Sequence, residues 1–111
     1  MSLAQEVFRD VLRHEDRAVT IDAIQKFVAE YYQMKQHELK SRNNSKSVAK
    51  PRQVAMYLCK ALTNSSLPEI GKSFGGKHHS TVIHSIKKVD EMRKKNPEFH
   101  TLVGNFIESF K

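Results

Sequence analysis

One hundred and eleven residues make one domain's worth of chain, and 39% hydrophobic with 28% charged residues is ordinary for a small globular module. Apolar runs fall far short of the roughly 20 residues that cross a bilayer, so neither membrane insertion nor a signal peptide is expected; the single Cys59 cannot form an internal disulfide, which makes a cytoplasmic protein the default reading. A net charge of +7 and a pI near 9.7 point to a polyanionic partner, nucleic acid before membrane surface.

Leu3, Val7, Phe8, Val11 and Leu12 recur at helical spacing until the polar run His14-Glu15-Asp16-Arg17, which predicts a first helix with a hinge after it. Thr20 is placed to cap a second helix, with Asp22 in its first turn where a carboxylate suits the helix dipole, and with Ile21, Ile24, Val28 and Tyr31 as its inner stripe to about Tyr32. A short helical turn around Gln36 to Lys40 leads into residues 41–47, which carry no apolar side chain and read as an exposed basic loop. Proline is tolerated only near a helix start, so Pro51 predicts a helix beginning between Val48 and Pro51. Its inward positions are Val54, Ala55, Leu58, Ala61 and Leu62; Arg52, Met56 and Lys60 lie on the opposite side. Ser66 can cap a short helix with Pro68 in its first turn, ending near Ser73 before Gly75-Gly76. From about His79 another helix buries Val82, Ile83, Ile86, Val89 and Met92 and presents Ser80, Thr81, His84, Lys87 and Lys88. Asn96-Pro97 opens a last helix whose apolar positions are Phe99, Leu102, Val103, Phe106, Ile107 and Phe110. No segment reads as a strand, so the fold class is all-α: a compact domain of about six helices.

Charge is unevenly spread over these elements. Residues 39–89 hold ten Lys and Arg against one acid, Glu69, whereas the two ends are acidic or balanced. A cationic run is ordinarily a solvated face, but here no carboxylate between Leu39 and Pro68 neutralises six bases, which favours polyanion binding. Helix, glycine turn and helix in residues 66–92 have the layout of a helix-turn-helix, whose second helix enters the major groove with its N-terminal residues on base edges. Plain helical bundles share that layout, so the motif alone leaves both readings open. The second helix opens with Lys77-His78-His79-Ser80-Thr81, polar groups that can pair with base edges, and free N–H groups at a helix start suit phosphate.

Other chemistry finds little support. Adjacent histidines on a helix point about 100° apart, and no i, i+4 pair of ligands completes a tetrahedral site around His78, His79 and His84, so no metal is expected. Gly71-Lys72-Ser73 resembles the end of a phosphate-binding loop, yet Ser66 stands where the first glycine is required and no strand precedes it. Cys59 lies beside a buried stripe and no catalytic carboxylate pair or Ser/His/Asp set is spaced for work, so no enzyme activity is expected.

Ser66-Leu67-Pro68-Glu69-Ile70-Gly71 followed by Phe74-Gly75-Gly76-Lys77-His78-His79-Ser80-Thr81-Val82-Ile83-His84 resembles the signature of the DnaA family of bacterial chromosomal replication initiators. Thr20-Ile21-Asp22, Val28-Ala29-Glu30-Tyr31-Tyr32 and Pro51-Arg52-Gln53 also fit that family's C-terminal DNA-binding domain, so the likeness covers about residues 20 to 110. It implies a helix-turn-helix domain of the Trp repressor-like kind over residues 20–111, with residues 1–19 similar to the connector helix from an ATPase lid. By resemblance the partner is double-stranded DNA at A·T-rich origin boxes in the cytoplasm, on the nucleoid; with no heptad or apolar seam left over for dimerisation, a monomer is expected to bind it. ATP would belong to the separate ATPase module, with no cofactor in this chain, and regulatory proteins are admitted as further partners. Carried over by position, His79, Ser80 and Thr81 match major-groove readers, with Pro68 beside them and His78 where an aspartate is usual. Arg52, Gln53, Lys60, Leu67, Lys77, His84 and Lys88 match positions near the phosphate backbone. Asn44 stands where the family places a minor-groove arginine, so either Arg42 or Lys46 takes over that role, Arg42 being favoured because guanidinium is less strongly hydrated, or minor-groove reading is lost. Two other classes remain open: a nonspecific nucleic-acid binder, and a protein-interaction module working through the Phe-rich last helix or the Thr63-Asn64-Ser65 corner.

Overall fold

The computed structural model describes residues 19–111, and every regular element in them is helical. In order they are α1 (Ile21–Tyr31), a 3-10 helix (Gln36–Lys40), α2 (Lys46–Leu62), α3 (Leu67–Ser73), α4 (His79–Lys95) and α5 (Pro97–Ser109). The all-α expectation holds; the helix predicted around residues 3–12 lies outside the described residues.

Helix boundaries follow from side chains that satisfy free backbone groups. Thr20 Oγ1 accepts from the Ala23 amide at 3.0 Å at the start of α1. A reciprocal box opens α3: Ser66 Oγ accepts from the Glu69 amide at 3.2 Å, while Glu69 Oε1 accepts from the Ser66 amide at 2.8 Å. Asn96 Oδ1 takes the Glu98 and Phe99 amides at 3.0 and 3.1 Å, with Pro97 first in α5. Between α3 and α4 the chain turns through Gly75 and Gly76, at φ +85° and +75°. Gly75 also lies so close to the Lys40 backbone that a Cβ would collide with the Lys40 carbonyl oxygen.

Helix α2 is the hub, since α1, the 3-10 helix, α3, α4 and α5 all pack on it. Val54, Ala55, Met56, Leu58 and Cys59 are fully enclosed, and Ile24, Val28, Leu39, Ile70, Phe74, Val82, Val89 and Val103 complete the core around them. Each such large side chain contributes about 1.5–3 kcal/mol by leaving water. Gln25, buried on α1, is satisfied from both ends: its Nε2 donates to the Ser73 carbonyl at 2.9 Å, and its Oε1 accepts from Gln36 at 3.0 Å.

Three expectations are corrected. First, α2 begins at Lys46, so Lys46 and Ser47 leave the loop and Pro51 is the sixth helical residue. An early proline forfeits one bond to the preceding turn, and the start is held by Asn43 Oδ1, which accepts from the Ser45 amide at 2.9 Å. Second, Met56 and Arg52 are buried rather than outward and Ala61 is exposed, because a helix packed on most sides has no single solvent face. Third, the inner stripes are narrower than expected. Tyr31 is 51% exposed and rests edge-on against Phe106, while Ile83, Ile86 and Met92 are only half-buried on α4.

Candidate nucleic-acid interface

The first turn of α4 projects from the glycine turn with His79, Ser80 and Thr81 exposed. His78 is the N-cap: its Nδ1 accepts from the Ser80 amide at 3.2 Å and lies 2.7 Å from Ser80 Oγ. Its ring stacks on that of His79, centroids 4.3 Å apart. His84 and Lys88 continue the exposed face of α4. Pro68 is exposed in the first turn of α3, with Leu67 half-buried beside it.

Against this turn lies the loop 41–45. The Ser41 carbonyl accepts from Lys77 Nζ at 2.9 Å and from Arg52 Nη1 at 3.2 Å. Arg52 Nη1 also donates to the Asn43 carbonyl at 3.0 Å, and Nη2 to Asn44 Oδ1 at 2.8 Å. Arg42, Asn44, Arg52, Lys77 and Thr81 thereby line one cleft of about 420 Å3. Burial, and then the neighbouring Arg52 and Arg42 charges, lower the proton affinity of Lys77; burial alone lowers that of Arg52. Among the described residues the ion pairs are Lys26–Asp22, Lys94–Asp90 and Lys111–Glu108, and none neutralises a cation between residues 39 and 89.

A second cleft, about 240 Å3, runs between the start of α2 and the later part of α4 and is lined by Lys46, Ala49, Lys50, Gln53, Lys88 and Met92. It unites three of the sequence-predicted residues and adds Lys50, whose ammonium lies 5.3 Å from the centre of the Phe99 ring. Lys46, Lys50 and Gln53 are spaced i, i+4, i+7, a signal available in the sequence once α2 is extended back to Lys46. Lys60, Leu67, Pro68, His78, His79, Ser80 and His84 line neither cleft. Cys59 is buried and its thiol is pushed up to about 12 by that burial, so it stays protonated. Among the described residues no group of three or more His, Cys, Asp or Glu is placed to hold a metal ion, and no helix is long and apolar enough to cross a membrane.

A short capped helix, a glycine turn and a second helix with an exposed polar first turn define a helix-turn-helix protein. A family model described as the bacterial dnaA protein helix-turn-helix matches residues 21–89, and the chain belongs to that family. Two solved structures are similar to it. One is of a DNA replication initiation factor, at 35% identity and a TM-score of 0.74, covering 94% of this chain and 31% of that one. The other is of the replication initiator DnaA bound to AMPPCP and single-stranded DNA, at 35% identity and a TM-score of 0.71, covering 95% and 31%. The chain thus spans 31% of the length of these relatives. The matched family is a helix-turn-helix module, not a catalytic one.

Proposed function

We propose that residues 20–111 bind double-stranded DNA in replication initiation, as a monomer reading an A·T-rich origin box. The observation that carries this reading is the cleft in which Arg42, Arg52 and Lys77 meet Thr81 of the first turn of α4 with no carboxylate among its lining residues. Arg42 and Lys77, with the buried Arg52 adding to the positive field beside an exposed hydrogen-bonding helix start, suit a phosphate backbone on one side and base edges on the other. His79, Ser80 and Thr81 read the major groove, with Pro68 beside them and His78 at one further base pair. Gln53, Lys60, Lys77, His84 and Lys88 hold phosphates, Leu67 packs near the backbone, and Arg42, with Asn44 and Lys46 on the same stretch, approaches the minor groove. A cytoplasmic, nucleoid-associated location follows from this reading, and no metal or nucleotide enters it.

Fluorescence anisotropy with a box selected from random duplexes, against a scrambled duplex of equal composition, tests it. With Lys60, Lys77 and Lys88 as the cations that neutralise phosphates, log K should fall with log salt at a slope of roughly −3. Preference for the selected box should be about 1,000-fold or more. Equal affinity for the scrambled duplex would replace the site-specific reading with nonspecific binding, and no binding would leave the protein-interaction reading.

A further inference from the structure

Arg52 stands at a position that the resemblance assigns to phosphate, yet its side chain is spent inside the protein. It is 6% exposed, and all three of its hydrogen bonds run into the loop 41–45. Burying a guanidinium away from any carboxylate carries a desolvation cost that an exposed lysine holding the same phosphate would avoid. That cost has a structural return. Residues 42–45 are all exposed, so no core contact fixes the loop's path, and two carbonyls and one side-chain amide are gathered by a single planar fork. A lysine cannot reproduce that fork.

Two further contacts tie the loop to the reading helix. Lys77, two residues before α4, donates to the same Ser41 carbonyl that Arg52 holds, so one oxygen joins the loop, α2 and the approach to α4. Gly75 of the turn lies directly on the Lys40 backbone, its Cβ position 3.5 Å from the Lys40 Cα. Arg42 is left facing the cleft that Thr81 also lines.

We infer that Arg52 is a positioning residue for specificity: it fixes the loop 41–45 against the start of α4, so that Arg42 engages the adjacent groove in register with His79, Ser80 and Thr81, and it holds no phosphate itself. This rests on the DNA reading above. A phosphate ligand, once removed, lowers the salt slope by about one unit and weakens all sequences alike. A positioning residue, once removed, erases preference at the box flank and leaves the slope nearly unchanged.

The test uses the 111-residue chain and its Arg52→Lys, Arg52→Ala, Arg42→Ala, Arg52→Lys/Arg42→Ala and Lys60→Ala variants, with boxes carrying A·T or G·C flanks over a salt series. Arg52→Lys should cut flank preference by about 5- to 100-fold, the range of one lost specific contact, at an unchanged slope. Lys60→Ala should show the reverse. The double variant should lose no more preference than Arg42→Ala alone, because both act through one contact. Should Arg52→Ala fail to fold, flank preference in Arg52→Lys carries the comparison, since a lysine that keeps the charge leaves the slope unchanged under either role and loses preference only if the fork positions the loop. Amide spectra of the free protein supply a readout independent of DNA: residues 41–45 and 77 should shift in Arg52→Lys. Parental flank preference in Arg52→Lys, additive losses in the double variant, or a parent with no flank preference would each overturn the inference while leaving DNA binding standing. A parent that binds no duplex, with the amide shifts still present, would overturn the DNA reading and with it the role in specificity.

Discussion

The glycine turn offers a sharp test of how the helix-turn-helix is held, because its two glycines both have positive φ and differ in surroundings. Alanine at either meets the penalty of positive φ, about 1–2 kcal/mol. At Gly76 a Cβ has no heavy atom within 4 Å, and the strain is the whole effect. At Gly75 the Cβ runs into the Lys40 carbonyl oxygen and lies 3.1 Å from the carbonyl carbon, so the 3-10 helix or the turn must move. That neighbour is backbone, anchored by buried Leu39 and by the Ser41 hydrogen bonds, and cannot swing aside as a side chain tip would. Adding an overpacking cost of about 1–3 kcal/mol places Gly75→Ala near 2–5 kcal/mol. At about 4–8 °C per kcal/mol for a domain of this size, Tm should fall by roughly 8 °C or more for Gly75→Ala and by about half that for Gly76→Ala. Gly76→Asn, which tolerates the left-handed region, should fall less than Gly76→Ala. Thermal unfolding followed by far-UV circular dichroism, with urea midpoints as a second measure, reads all three. Equal losses at Gly75 and Gly76 would refute the argument, since strain alone would then account for both.

Phe74→Ala empties a fully buried site at the end of α3 and should cost about 3–5 kcal/mol; a urea-derived loss under about 1 kcal/mol would place Phe74 outside the core. His79→Ala or Thr81→Ala should cost roughly 1–3 kcal/mol on the selected box and little on a scrambled duplex, which paired anisotropy titrations measure. Glu69 is held below the ordinary glutamate range by the Ser66 amide, so its contribution to stability is present above about pH 4.3 and is lost as the pH falls through its lower folded value. Glu69→Gln should therefore flatten the acid side of the stability profile, and an unchanged profile in urea melts across that range would remove Glu69 from the capping account.

Local chemistry was legible in the sequence wherever a feature is written in neighbouring residues. Thr20, Ser66 and Asn96 cap because an oxygen three residues or fewer from a free amide needs no tertiary help, and Gly75-Gly76 break the chain for a reason internal to glycine. The inward side of α2 was not legible. Periodicity assumes one wet face, and five elements packing on α2 remove that face, which is why Met56 and Arg52 were placed outward. The clamp on the loop was hidden for another reason. Arg52 reaches residues 8 to 11 positions back, and a basic residue in a basic stretch carries no mark of whether it faces water or a carbonyl. Lys50 went unnoticed because a helix expected to start at Val48 or later hides its i, i+4, i+7 spacing with Lys46 and Gln53, and the cleft that the three line forms only where α2 crosses α4.

His78 starts α4 with a side chain whose free edge differs from that of the aspartate that the resemblance places there. An N-cap needs an acceptor for the free amides, and aspartate supplies one on every face. His78 supplies it through Nδ1, 3.2 Å from the Ser80 amide, which sets the proton of the neutral ring on Nε2. The edge left over is thus a donor, whereas a capping aspartate keeps a second acceptor to spare. In the proposed complex a donor pairs with guanine O6 or N7 and an acceptor with the cytosine amino group, so the exchange reverses hydrogen-bond polarity at one base pair and leaves the helix start in place.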